Sequence, residues 1–403
     1  MAYNEIVVRN AIVIIILTLT AVGVGLYIAS EYLFFGLSFD GLKPRFTAPR
    51  KDIKQYLPVG SDLSYPLTIP RGFRMGVFAD LKGGLPRVLA LDPKGVLVIS
   101  VTNKGKIMAL PDEDGDGASN KQIDILTNLD EPHGIIFDGG YLYVAETGRV
   151  SRFIYNPTNF SASSREILFS LPSGGQHSTR TIKIRGGALY TSVGSSCDVC
   201  IEEEPFRAAI LVSALDGANL KVFAKGLRNT VFFDFDSEGR IWGADMGRDF
   251  LGDSFPPDEI NLIEEGKDYG WPYCYGDRVR DSKFKPGEES VYCSGTIAPK
   301  FNLPAHVAPL GITFIDSASL PSSDKGNILV SLHGSWNSTT AVGYKVVKLT
   351  TFGGDILGSE NFIAGWQLGQ ETLGRPVDLI FDSDGNLFVS DDHAGLIYIL
   401  SKS

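Results

Sequence analysis

One pattern recurs six times along this chain: an apolar strand, an Asp/Gly turn, a second strand rich in Val, Leu and Tyr, a polar turn and a third strand. The copies read VLALDPKGVLVISVTNKGKIMAL from Val88, GIIFDGGYLYVAETGRVSRF from Gly134, TIKIRGGALYTSVGS from Thr181, VFFDFDSEGRIWGADMG from Val231, GITFIDSASLPSSDKGNILVSLHG from Gly311 and LIFDSDGNLFVSDDHAGLIYIL from Leu379. Early copies lie about 45 residues apart, near the length of one four-stranded propeller blade, and insertions lengthen the fourth and fifth. Radial repetition hides strand edges, so the pattern predicts an all-β, six-bladed β-propeller with the first strand of each blade around a central channel and the loops gathered at its two ends. Ring closure needs one more strand, and Phe73 to Ala79, reading FRMGVFA, is the candidate to complete the final blade. A β-sandwich of short strands is the competing architecture, and the fixed motif and spacing weigh against it.

The charge sum of 37 basic and 47 acidic residues is −10, which argues against nucleic acid as a partner because no net positive field would recruit phosphates. Residues 10–30, NAIVIIILTLTAVGVGLYIAS, carry no charge, and at about 1.5 Å per helical residue they would span roughly a 30 Å hydrocarbon core. The organisation expected is one N-terminal transmembrane helix as membrane anchor in residues 1–35, a tether in 36–67 and the propeller in 68–403. A cleaved signal peptide and a buried core helix are the alternatives for the apolar run. Arg9 before it and Lys43, Arg45, Arg50, Lys51 and Lys54 after it favour a body on the cytoplasmic side. Four cysteines argue the reverse: Cys197 with Cys200 and Cys274 with Cys293 suit two disulfides in an oxidising space, which places the body outside the cytoplasm. A zinc site built from all four is the competing reading, but the second pair lacks the close spacing of such sites.

The residues just before each first strand repeat one chemistry. Arg87 precedes the first copy, His133 the second, His177 with Arg180 the third, Arg228 the fourth, His306 the fifth and Arg375 the sixth. In a propeller these positions converge on one channel mouth. Guanidinium forks bind carboxylates bidentately and stay charged when dehydrated, so such a ring points to a small planar polyanion. The plainer reading is that individual members cap blades or pair with acids such as Glu131 and Asp378. His177 is the candidate for proton transfer, because its neighbours Gln176 and Ser178 are polar and imidazole titrates near neutral pH.

Several segments together, LPSGGQHSTRTIKI, GLRNTVFFDF, GADMGRDFLGDSFPPDEINLIEEGKDYGWPYCYG, PAHVAPLGITF, SLHGSWN and GRPVDLIFDSDGNLFVSDDHAG, resemble the glucose/sorbosone dehydrogenase family from about Gly72 to the carboxyl end. The resemblance implies a six-bladed quinoprotein that uses pyrroloquinoline quinone, PQQ, with calcium to oxidise an aldose or related alcohol. It implies electron transfer to a quinone or cytochrome, which the anchor would favour at a membrane. On that resemblance His177 falls at the general base and Arg228 at the arginine that stabilises charge on the reduced quinone. Asn229, Ser196, His306, His333 and Arg375 fall at cofactor contacts, joined by the ring residues Arg87, His133 and Arg180. Gly247 and Arg248 fall where backbone carbonyls hold calcium. The sequence also departs from the family: Gln176 stands where the soluble glucose dehydrogenase branch has an acid, and Val377 and His333 replace cofactor-binding cations. These departures keep open a propeller that binds a carbohydrate or protein without catalysis; a calcium-dependent lactonase-type hydrolase would need acidic ligands in place of the ring's Arg and His.

Asp112, Asp114, Asp116 and Gly117 copy the opening of an EF-hand loop, but position twelve is Ile123, so an acidic turn is the simpler account. Asp258, Glu259 and Asn261 are expected to brace the enlarged fourth copy. Tyr269, Trp271 and Tyr273 supply aromatic surface that either stacks on a sugar or packs over a blade. A Cys197–Cys200 disulfide beside Ser196 would shape that loop, and the βαβ context of a thioredoxin-like motif is absent.

Overall fold

The computed structural model describes Ile53 and residues 66–284, 288–369 and 371–403. Within them lie six four-stranded antiparallel sheets, one per repeat, and two small two-stranded hairpins. The inner strands of blades 1 to 6 are Pro86–Leu91, Ile135–Asp138, Ile182–Arg185, Thr230–Phe235, Pro309–Phe314 and Pro376–Phe381. Blade 6 is completed by Phe73–Asp80, which pairs antiparallel with the last strand, Leu396–Lys402, in the register Met75 to Leu400 and Val77 to Tyr398. The first strand thus closes the ring, as its unpartnered apolar run predicts.

In the first, fourth and sixth repeats the Asp of the Asp/Gly turn has a clear task. Asp92 Oδ1 accepts the amides of Lys94 and Val96, Asp236 Oδ1 those of Glu238 and Arg240, and Asp382 Oδ1 those of Asp384 and Asn386. The glycine that follows, Gly95, Gly239 or Gly385, takes a left-handed φ of 82° to 88° that a side chain would oppose.

A second device joins the blades. In blades 1, 5 and 6 the inner strand bulges near its start, so that an amide there leaves the ladder. A buried serine on the second strand takes it instead: Ser100 Oγ accepts from Val88 at 3.0 Å, Ser331 from Gly311 at 2.8 Å and Ser390 from Asp378 at 3.0 Å. The hydroxyl then donates onward to the next blade, from Ser331 to the Val377 carbonyl and from Ser390 to the Arg87 carbonyl at 2.8 Å. Ser192 bridges blades 3 and 4 likewise, between the Thr181 amide and the Val231 carbonyl. The bond from Ser390 ties blade 6 to blade 1 and fixes the backbone of Arg87.

The cysteines form the two expected disulfides, Cys197–Cys200 and Cys274–Cys293, which leaves no thiolate for zinc. Tyr269 and Trp271 are only 5% and 8% exposed, so they pack rather than form an open wall. The expectation of an N-terminal transmembrane helix is corrected. Among the described residues no helix is long and apolar enough to cross a membrane. The run at residues 10–30 lies outside the described residues, as does the tether apart from Ile53, Pro66 and Leu67. A hydropathic run fixes length and polarity but not a helical span, so the membrane anchor, the membrane as a partner and the location inferred from them are withdrawn.

Ser390→Ala strands the Asp378 amide and the Arg87 carbonyl together, and we expect it to lower stability by about 1–3 kcal/mol. A thermal melt reads this as a reduced Tm; an unchanged Tm would show that the closure does not use this bond.

Candidate active site at the mouth of the propeller

Antiparallel pairing brings the end of each second strand beside the start of the inner strand, as in Thr230 with Asp245 and Pro376 with Asp391. Both acids are buried and turn onto the loop that enters the blade. Asp245 accepts from the amides of Arg228 at 3.0 Å and Asn229 at 2.7 Å and from Thr230 Oγ1 at 3.0 Å. Asp391 accepts from the amides of Arg375, His393 and Ala394 and from the Tyr398 hydroxyl, all at 2.8–2.9 Å. Burial pushes Asp245 up to about 6 and Asp391 up to about 7.

His177 is half-buried beside the loop that carries Arg228, its Nδ1 2.8 Å from Ser195 Oγ and 3.0 Å from the Ser195 carbonyl oxygen. Burial and then the Arg228 guanidinium push its pKa down to about 3, so the imidazole is neutral. Arg180 is fully buried and serves the loop rather than an anion: its guanidinium donates to the carbonyls of His177, Thr179 and Pro172 at 2.8–2.9 Å. Arg207 donates to the carbonyls of Ser173 and Gly174 in the same loop. Gln176, where an acid was sought, is exposed and gives its backbone amide to the Ser196 carbonyl.

Arg228 is held on several sides. Its Nε donates to the Asp198 carbonyl at 2.8 Å, and one terminal nitrogen reaches Asp198 Oδ1 at 2.8 Å and Asp249 Oδ2 at 3.4 Å. Asn337 fixes the other Asp249 oxygen at 2.5 Å. The neighbouring Asn229 side chain meets Met246 Sδ at 3.5 Å. Gly247 donates its amide to Asp258 at 2.8 Å, and one terminal nitrogen of Arg248 donates to both Asp281 carboxylate oxygens, at 2.8 and 3.1 Å. Burial, reinforced by neighbouring acids, pushes Asp258 up to about 7 and Glu259 up to about 8.

Across the mouth, Arg87 pairs with Asp392 at 2.6 Å, and the other Asp392 oxygen meets His333 Nε2 at 2.8 Å. Arg375 donates to His333 Nδ1 at 3.4 Å, to the carbonyls of Gly334 and Ser335, and to the Tyr344 hydroxyl, with its guanidinium 5.0 Å from the Tyr344 ring. His133 is buried between the two halves. Its Nδ1 lies 3.2 Å from the Arg180 carbonyl, and burial followed by the charge of Arg87 holds it well below the usual imidazole range.

The structure therefore gathers Arg87, His133, His333 and Arg375 on one side and His177, Arg180, Arg228 and Asn229 on the other, with His133 linking them. Two expected contacts are already engaged elsewhere. Ser196 Oγ bonds Glu202 at 2.7 Å, and His306 Nε2 donates to the Gly252 carbonyl at 2.7 Å. Glu131 and Asp378 do not pair with the ring; they meet the Thr147 hydroxyl and the amides of Leu89 and Leu379. The partners that reading the sequence missed are Ser195, Asp198, Asp249 and Asp392. An acid closing the second strand, as in GAD and VSD, was the available signal for Asp245 and Asp391. Asp112, in the EF-hand-like turn, spends its carboxylate on the amides of Gly115 and Gly117.

The sequence profile of a family described as TrAA12-like matches residues 67–403. An uncharacterized protein of Borreliella burgdorferi is 30% identical over 359 residues, covering 84% of this chain and 91% of that one. A pyrroloquinoline quinone-dependent pyranose dehydrogenase of Coprinopsis cinerea is 26% identical over 84% of this chain, which spans only 55% of that protein. Among solved structures, the holo form of the PQQ domain of the Coprinopsis cinerea pyranose dehydrogenase aligns with a TM-score of 0.73 at 22% identity, covering 86% of this chain and 99% of that one. The calcium structure of a Trichoderma reesei enzyme of Carbohydrate-Active Enzymes Family AA12 aligns with a TM-score of 0.75 at 20% identity, covering 86% and 100%. These two likenesses establish the shared fold, and the resemblance drawn from the motifs is borne out at the level of the family.

Asp258, Glu259 and Asp391 keep protons that the unfolded chain has already released, so their contribution to stability falls as pH rises towards folded-state values of about 7, 8 and 7. His133 and His177, whose folded values are lowered, act in the opposite sense, but only below about pH 6.5. With a chelator present, we expect a lower Tm at about pH 8 than at about pH 6.5. A Tm that is flat or rises over that window would mean these acids are ionised earlier.

Proposed function

Because the chain belongs to the TrAA12-like family, we propose that it is an oxidoreductase of the PQQ-dependent dehydrogenase class that oxidises a sugar or related alcohol. The observation that carries this reading is His177: a neutral imidazole, within reach of the Arg228 charge, at the mouth where the other cations converge. The relatives named as PQQ-dependent pyranose and sugar dehydrogenases support it.

The residues present fit such a group. Arg87 leaves a buried Nε without a protein partner among the described residues, and the Arg375 guanidinium bonds only to neutral groups there. These suit an acceptor-rich, carboxylate-bearing molecule. Arg87, Arg375, His333 and His133 would hold one side of it and Asn229 and Arg228 the other. Gly247 and Arg248 would offer main-chain oxygens to calcium, beside the buried acids Asp245 and Asp258 and the half-buried Asp249, an environment that suits a hard divalent cation.

When bound, PQQ supplies an electrophilic quinone that accepts hydride, and calcium polarises it. The chain's own part is to place and deprotonate the substrate. His177 takes the hydroxyl proton at Nε2, the nitrogen that Ser195 does not engage. Arg228, fixed by Asp198 and Asp249, keeps a positive charge where negative charge develops. The turnover needs an external electron acceptor, for which a quinone or cytochrome is the class we propose.

The full chain loaded with PQQ and calcium should reduce a redox dye with at least one member of a panel of aldoses and alcohols. No reduction with any substrate, together with no PQQ binding, would overturn the reading. His177→Ala should lower turnover by about 100-fold or more while PQQ still binds; undiminished turnover would remove His177 from its role.

A further inference from the structure

We propose that the loop of residues 195–200, closed by the Cys197–Cys200 disulfide, is the positioning element for the base: it fixes His177 as the Nδ1–H tautomer and leaves the Nε2 lone pair as the proton acceptor. The assignment of hydrogens follows from which atoms can only accept. The Ser195 carbonyl oxygen cannot donate, so His177 Nδ1 at 3.0 Å carries the hydrogen. The Cys197 carbonyl oxygen cannot donate either, so the Ser195 hydroxyl at 2.7 Å gives its hydrogen there. That turns a hydroxyl lone pair towards Nδ1, 2.8 Å away, and both oxygens of Ser195 then accept from the same ring nitrogen.

The direction of that hydroxyl depends on where the Cys197 carbonyl is held, and Cys197 is tied to Cys200 three residues on. Asp198, inside the same disulfide ring, grips Arg228 with both its carbonyl and its carboxylate at 2.8 Å, and takes the Asp249 amide at 2.8 Å. One short loop therefore sets the base and the arginine together. The loop bearing His177 is zipped to it: Gln176 donates its amide to the Ser196 carbonyl at 2.8 Å, and a Cβ at Gly175 would meet Ser196 at 2.7 Å. The charges facing the ring are Arg228 from blade 4, Arg180 from its own loop and Arg207 from the segment after the disulfide. The two neutral oxygens of Ser195 thus take the place of an orienting carboxylate. They fix the tautomer, and the rise in basicity that the Ser195 bond brings is outweighed by burial and by the Arg228 charge.

The purpose of the lone pair rests on the dehydrogenase reading; the tautomer does not, so it is read without cofactor or substrate. Histidine labelled with nitrogen-15 in the full chain at neutral pH, with the His177 signals identified by their loss in His177→Ala, should show a pyrrole-type Nδ1 and a pyridine-type Nε2. The Cys197→Ser/Cys200→Ser double variant should show mixed tautomers and, in the loaded enzyme, a kcat lower by about 10-fold to 100-fold with little change in KM. Ser195→Ala should move both readouts the same way, and Ser195→Thr, which keeps the hydroxyl, should restore them. An Nε2–H tautomer in the unmodified chain would overturn the inference. So would wild-type spectra and kcat in both the disulfide-free variant and Ser195→Ala. If the double variant shows no cooperative melt, the Ser195 pair decides alone. A chain with the expected tautomer but no turnover on any substrate would sink the dehydrogenase reading and leave this inference standing.

Discussion

Asp245 and Asp391 turn inward at the ends of their strands and accept the backbone N–H groups of the loops that carry Arg228, Asn229 and Arg375. A chain crossing from the outer strand of one blade to the inner strand of the next has main-chain donors that neither ladder can satisfy. A buried carboxylate takes two or three of them at once, and those bonds offset much of the penalty that burial imposes on its charge. The result is a loop whose backbone is fixed before any ligand arrives, so its side chains are presented in one orientation. A layer deeper, Ser390 does the same for Arg87 by binding the backbone of both blades at the closure.

With the loops pinned, the charges at the mouth are arranged rather than merely concentrated. Arg87 shares Asp392 with His333, and Arg228 is braced by Asp198 and Asp249. Such pairing holds each guanidinium in place and stops a ring of like charges from repelling itself. It also means that an incoming anion shares these cations with resident acids, so the field is weaker than a count of arginines suggests and selection rests on geometry. The neutrality of His177 belongs to the same balance, since burial and Arg228 together make its protonated form unfavourable.

The blades were legible because each is a local run of strands and turns whose period survives in one sequence, and because in three of them the turn Asp does its work within four residues. The closing strand was legible as an apolar run with no partner of its own. The ring cations were legible as one position repeated. Their acids were not: Arg87 and Asp392 lie 305 residues apart and meet only once the ring has closed. Ser195 was missed by a single residue in favour of Ser196. The chain bends just past the strand that ends at Val193, and it is Ser195 that faces His177 while Ser196 turns to Glu202. His306 stands at the expected position, but its backbone has a φ of 63° and its ring points to the Gly252 carbonyl. The apolar run at residues 10–30 carried composition alone, and no described helix gives it a membrane counterpart.

At the centre of this account is the proposal that a mouth assembled from separate blades binds one planar molecule bearing several carboxylates. Calorimetric titration of the full chain with PQQ in the presence of calcium tests it most directly. The account predicts saturable binding of one PQQ per chain, weakened at least about tenfold by Arg375→Gln. Absence of saturable binding, or binding that Arg375→Gln leaves untouched, would contradict it.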